Sequence, residues 1–203
     1  SANLVLSRKG FPEHSPEAYK FFIGDGVDTL MLRILPEEHR TLTVLTECIE
    51  EMRKEYAHRW REHSRPYPGI VDLLKNIHGK IRLAVLSNKP DDFTRRMVKD
   101  LLGEDYFDIV RGALPDMPKK PDPLAALRIS EELRIPPQEF LYLGDTNTDM
   151  KTAVAAGMFP VGVLWGFRPA SELLESGARL LIEAPGEVLR ILAAGREAFS
   201  TSD

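Results

Sequence analysis

The sequence predicts an α/β protein: a parallel sheet core with helices on both faces, plus a small all-helical domain ahead of it. Three observations predict this. From residue 70 onward, short runs of branched and apolar residues alternate with helical patterns at short spacing, the signature of a parallel sheet covered on both sides. Residues 1–65 carry helical periodicity and no strand candidate. Between the two, Arg65-Pro66-Tyr67-Pro68-Gly69 places two prolines and a glycine where helical patterns stop on both sides. The domains are therefore read as 1–65 and 66–203.

The elements follow in order. The chain opens in a helical pattern without a methionine. Pro16 to Ile23 puts Tyr19, Phe22 and Ile23 on one face, Gly24-Asp25-Gly26 breaks the pattern, and Val27 to Leu35 resumes it. Pro36 opens a long segment with Leu42, Leu45, Ile49, Met52 and Tyr56 in one apolar stripe. After Gly69 the expected helices are 70–78, 93–102, 124–133, 148–156, 170–175 and 187–198, with strands at 81–86, 107–110, 140–143, 160–165 and 179–182. Right-handed crossovers are expected throughout.

Composition removes several classes of function. The 203 residues carry a net charge of −4 with 29% charged residues, which gives no electrostatic footprint for nucleic acid. Cys48 is the one cysteine, so no internal disulfide is available and a reducing, cytoplasmic setting is expected. No apolar run approaches the roughly 20 residues that cross a bilayer. The first ten residues do not have the apolar region of a signal peptide.

Polar groups gather at the carboxyl ends of the predicted strands, where open α/β sheets bind ligands. Phe140 to Leu143 is an apolar run that ends in Gly144-Asp145, and Asp149 follows in the first turn of the next helix, with Asn147 or Thr148 as its cap. Two carboxylates converging there suit a hard divalent cation such as Mg2+; the plainer alternative is a strand-to-helix turn with Asp149 favoured by the helix dipole. The strand at 81–86 ends in Ser87-Asn88-Lys89, which makes either an anion cradle before a helix or ordinary turn and cap residues. Lys120 precedes Pro121-Asp122-Pro123, a stiff backbone that would present its ammonium to a phosphate oxygen, unless it is simply a solvated surface lysine. Trp165, Phe167 and Arg168 read as packing and loop residues.

In order, Leu86-Ser87-Asn88, Lys120-Pro121-Asp122-Pro123 and Gly144-Asp145-Thr146-Asn147-Thr148-Asp149 resemble the second, third and fourth motifs of the haloacid dehalogenase-like hydrolases. Gly24-Asp25-Gly26-Val27-Asp28-Thr29-Leu30-Met31-Leu32-Arg33 is similar to the cap loop of phosphoglycolate phosphatases. The resemblance covers nearly the whole chain. It implies a Rossmann-like core and makes residues 1–65 the helical cap, mobile about a linker at Pro66 to Gly69. It further implies that Ser87 binds the transferring phosphoryl group with Asn88 beside it, that Lys120 balances its charge, and that Asp145 and Asp149 serve Mg2+. Arg33 is expected to meet a substrate carboxylate, since a guanidinium suits bidentate recognition; a surface ion pair on the cap is the other reading.

The family's first motif, an apolar strand ending in Asp-x-Asp-Gly-Thr that carries the aspartyl nucleophile, has no counterpart here. Asp25 imitates it, but no buried strand precedes it, so no nucleophile is assigned. The resemblance also places that first strand at the sheet centre, between the strands of Ser87 and Asp145. Its loss would leave two apolar edges without partners. A strand, loop and helix start of roughly 20 residues would fill the need, and the residues given are expected to be catalytically silent without them. For the intact protein the expectation is a Mg2+-dependent phosphatase of a small phosphate ester, with 2-phosphoglycolate first, acting through an aspartyl-phosphate as monomer or homodimer. The alternatives are a phosphosugar phosphomutase and a non-catalytic module that binds phosphorylated metabolites. A dehalogenase would leave Asp145 and Asp149 idle.

Overall fold

The computed structural model describes residues 1–103 and 105–200, with side chains through 194. The chain divides into two compact units, Ser1–Arg65 and Pro66–Asp203.

The first unit is helical throughout its ordered elements: α1 (Ala2–Arg8), α2 (Pro16–Phe22), α3 (Val27–Ile34) and α4 (Leu42–His63). Local chemistry fixes the starts. Ser15 accepts from the Ala18 amide ahead of Pro16, and Thr41 accepts from the Val44 amide, so each hydroxyl satisfies one of the free N–H groups of a first turn. The long segment after Pro36 is not one helix. A single 3-10 turn, Glu37–His39, precedes α4. The unit closes on Val5, Leu6, Met31, Leu35 and Cys48, all almost wholly buried. Cys48 is thereby a small apolar core residue.

The second unit alternates strands and helices: α5 (Ile70–Ile77), β1 (Ala84–Pro90), α6 (Asp91–Leu102), β2 (Ile109–Ala113), α7 (Leu124–Leu133), β3 (Leu141–Gly144), α8 (Asn147–Ala155), β4 (Phe159–Val163), α9 (Ala170–Glu175), β5 (Leu180–Ile182) and α10 (Glu187–Ser200). Every strand pairing is parallel. Several boundaries differ from expectation: β2 runs 109–113 against an expected 107–110, and β4 runs 159–163 against an expected 160–165. Residues 81–83 lie outside β1, which instead runs on through Ser87, Asn88 and Lys89 to Pro90, with a break in register between Leu86 and Pro90. The cap of α8 is Thr146.

The strands form two sheets, β1-β2 and β3-β4-β5, with no hydrogen-bonded pairing between β1 and β3. Burial follows this division. β4, flanked on both sides, is almost fully buried, whereas β1 and β3 are half-buried and Leu143 is 37% exposed. A cavity of about 580 Å3 lies here, lined among others by Ile77, Leu83, Leu86, Ile129, Tyr142 and Leu192. Strands of a parallel sheet are ordinarily covered on both faces; β1 and β3, half-buried, border this apolar slot.

No helix among the described residues is long and apolar enough to cross a membrane. The α9–β4 packing sets the testable point: Leu173 is 0% exposed, so Leu173→Ala should lower the unfolding free energy of the α/β unit by about 2–5 kcal/mol, read from the shift of its urea midpoint.

Candidate active site

The site is assembled at the carboxyl ends of β1 and β3, where the chain leaves the sheet and backbone amides become available. Asp145 follows β3 directly. Gly144 before it is obligatory for space, since a Cβ there would stand 2.2 Å from the Cβ of Asp149. The absence of that one carbon lets α8 fold back over its own strand and bring Asp149 to the strand tip. Thr146 caps α8 in both directions: its hydroxyl accepts from the Asp149 amide at 3.2 Å and donates to Asp149 Oδ2 at 2.7 Å. Asp149 is 7% exposed, and the reciprocal pair fixes its rotamer.

Lys120 comes from the loop between β2 and α7. Asn88 holds its backbone on both sides, with Oδ1 accepting from the Lys120 amide at 2.8 Å and Nδ2 donating to the Lys120 carbonyl at 3.0 Å. From that anchor the side chain runs inward. Its ammonium donates to Asp149 Oδ1 at 2.6 Å and to the Leu86 carbonyl at 3.2 Å. Both members of the Lys120–Asp149 pair are 10% exposed in their side chains. Burial weighs most heavily against the Lys120 charge, yet the Asp149 carboxylate and the neighbouring Tyr142 outweigh it, and the lysine pKa stands above its ordinary value.

Asp145 is held from a third segment. The Phe167 amide donates to its Oδ2 at 3.0 Å, and Gly166 permits this approach because a Cβ there would lie 2.1 Å from the Cβ of Asp145. Burial first, and the Asp149 carboxylate second, push the Asp145 pKa up; the Phe167 amide and Lys120 pull it back only in part.

The expected residues thus divide into groups. Asn88, Lys120 and Asp149 are in direct contact, with Asp145 close enough to feel the charge of Asp149 and Lys120. Ser87 sits on the same stretch of β1, where its Oγ accepts from the Lys89 amide at 3.1 Å. Arg33 belongs to the helical unit, where it donates to Asp25 at 2.6 Å and to the Phe22 carbonyl at 2.9 Å. The roles of Thr146 and the Phe167 amide escape a reading of side-chain types. The signals for them were Thr at the third position before Asp149, and Gly166 in an otherwise bulky loop.

Among the described residues, no cluster of three or more His, Cys, Asp or Glu side chains is arranged for a metal. The donor set still fits Mg2+, which is commonly held by one or two carboxylates with waters and substrate oxygens. Asp145 would be the better direct ligand. Both oxygens of Asp149 already accept hydrogen bonds, which suits it to orienting the shell.

Residues 1–163 match the haloacid dehalogenase-like hydrolase family. The phosphoglycolate phosphatase of Thiobacillus denitrificans is 31% identical over 180 residues, covering 85% of this chain and 79% of its own. A Lactobacillus delbrueckii structure assigned as a phosphoglycolate phosphatase superposes with a TM-score of 0.86 at 27% identity, over 92% of this chain and 87% of that one. A Thermotoga maritima structure assigned as a beta-phosphoglucomutase gives a TM-score of 0.67 at 25% identity, over 95% and 89%.

The raised Asp145 pKa sets a pH dependence with a definite sign. Between the ordinary carboxylate value and the raised one, the folded state holds a proton that the unfolded chain has released. Stability from this group is therefore full below the ordinary value and is lost as pH rises through the raised one. A Mg2+ ion held by Asp145 would need the carboxylate ionised, so added Mg2+ should raise the melting temperature more at neutral than at acid pH. Asp145→Asn should abolish the Mg2+ effect at every pH, as thermal melts across a pH series with and without MgCl2 will read.

Proposed function

The chain belongs to the haloacid dehalogenase-like hydrolases, and from that premise we propose that it is the binding and charge-balancing part of a Mg2+-dependent phosphatase for a small phosphate ester, 2-phosphoglycolate first. The observation that carries the reading is the buried Lys120–Asp149 pair beside Asp145, with Asn88 clamping the lysine backbone. Phosphoryl transfer asks a protein chiefly to position the ester and neutralise its equatorial oxygens. Lys120 supplies a fixed ammonium. Ser87 supplies a hydroxyl that can turn from the Lys89 amide to a phosphate oxygen. Asp145 and Asp149 supply the carboxylates for a Mg2+ ion, whose bound charge would polarise the phosphoryl group. The 31% identity to a phosphoglycolate phosphatase over 79% of that relative supports the substrate.

Arg33 is the candidate for the substrate's carboxylate. It already binds one carboxylate, Asp25, at 2.6 Å, and a substrate would exchange with that partner. Asp145 and Asp149 are occupied by metal and lysine in this scheme, and Asp25 is occupied by Arg33, so none of them is assigned as nucleophile. The attacking carboxylate is proposed to come with an extended segment seated in the slot between β1 and β3. Residues 1–203 by themselves are expected to turn over no phosphate ester.

The likeness to a beta-phosphoglucomutase favours phosphosugar isomerisation as the second reading. A phosphate-release screen of the natural full-length protein over small esters, with and without Mg2+, separates the two. Metal-dependent release from 2-phosphoglycolate is expected, and isomerisation of a sugar phosphate without net release would favour the mutase. In that protein Lys120→Met should lower kcat by about 10²–10³-fold, the effect of removing a preorganised charge-stabilising donor. Arg33→Ala should raise KM for 2-phosphoglycolate and leave KM for an ester without a carboxylate unchanged.

A further inference from the structure

Tyr142 lies on β3, two residues before Gly144, with its ring among Ala126, Ala153, Ala156 and Met158. Its hydroxyl oxygen is buried and has no partner at hydrogen-bonding geometry. Buried polar groups are seldom left in that condition. The polar groups facing it are the Lys120 ammonium, the Asp149 carboxylate and the Thr152 hydroxyl.

Donor and acceptor accounting shows how these groups can satisfy one another. The Lys120 ammonium has three N–H donors, and the bonds to Asp149 and to the Leu86 carbonyl use two of them. Thr152, 0% exposed, spends its proton on the Thr148 carbonyl at 2.7 Å and keeps its lone pairs for a donor. The tyrosine can therefore accept from Lys120 and donate to Thr152. It must remain neutral to do so, and burial pushes its pKa up to about 12.

We propose that Tyr142 is a positioning residue for Lys120. A small approach lets its hydroxyl accept the third N–H of the ammonium while passing its own proton to Thr152 and, through Thr152, to the Thr148 carbonyl. The consequence concerns Asp149, which is both the shortest partner of Lys120 and the candidate for a metal's shell. When Asp149 turns toward a cation, the Leu86 carbonyl alone would hold the ammonium, and the tyrosine provides a second hold that does not compete for the metal. The inference rests on the reading of Lys120 as the cation that meets the phosphate.

The test uses the natural full-length protein and two readouts. Side-chain 15N NMR of the Lys120 ammonium, assigned by its loss in Lys120→Met, reports its position without any need for activity. In Tyr142→Phe, which keeps the ring, the resonance should move and its protons should exchange with water about tenfold faster, the effect of losing one hydrogen bond to a charged group. In Mg2+-supported turnover, kcat should fall about tenfold with KM for the phosphate ester changed less than twofold. Thr152→Val should reproduce this, Thr152→Ser should restore wild-type values, and the Tyr142→Phe/Thr152→Val double variant should be no worse than either single one. An unmoved ammonium resonance in Tyr142→Phe, or additive effects of the two substitutions, overturns the inference. A wild-type protein without phosphatase activity would overturn the functional reading instead, and the ammonium exchange would still decide the positioning.

Discussion

One buried ion pair ties the α/β unit together where its sheet hydrogen bonds do not. β1 and β3 share no ladder, yet Lys120 reaches the Leu86 carbonyl on β1 and the Asp149 carboxylate above β3 at once. Replacing such a pair with apolar groups is often neutral, whereas removing one partner strands a charge at a cost of about 3–5 kcal/mol. The pair is therefore better understood as a device for placement than as a source of net stability. It sets the ammonium, the two carboxylates and the end of β1 at one place. Asn88, Thr146, Gly144 and Gly166 each serve that placement through a clamp, a cap or a missing Cβ.

The two carboxylates illustrate how neighbouring groups of one type take different work. Asp149 gives its oxygens to Lys120 and Thr146, so its charge is spent inside the protein. Asp145 has a backbone amide for a partner and the charge of Asp149 close by, and it holds its proton more tightly than an ordinary carboxylate. A divalent cation would relieve the strain at Asp145 first. This asymmetry arises from the sequence of one turn, where Gly144 allows the approach and Thr146 sets the rotamer.

Much of this arrangement was legible in the sequence because it rests on short-range patterns. An apolar run closing in Gly144-Asp145 before a helical pattern places an acid at a strand tip whatever the remainder does. Lys120 before two spaced prolines announces a fixed side chain. Strand limits were less legible. Ile81 and Leu83 are apolar enough for a strand but lie ahead of β1, while Ser87, Asn88 and Lys89, polar and turn-like in type, fall inside it across a break in register, because Pro90 pairs again with Ala113 of β2. The helix cap fell to Thr146 rather than Asn147 or Thr148, since only its hydroxyl meets the amide of Asp149. The support of Asp145 by the Phe167 amide left no side-chain signature, because the donor is backbone from a loop 22 residues onward.

The most direct test of the account is a crystal structure of the full-length protein with Mg2+ and inorganic phosphate. The account predicts phosphate oxygens on the Lys120 ammonium and the Ser87 hydroxyl, with the metal on the Asp145 carboxylate. Phosphate bound away from the ends of β1 and β3, with the Lys120–Asp149 pair undisturbed and no metal at Asp145, would contradict it.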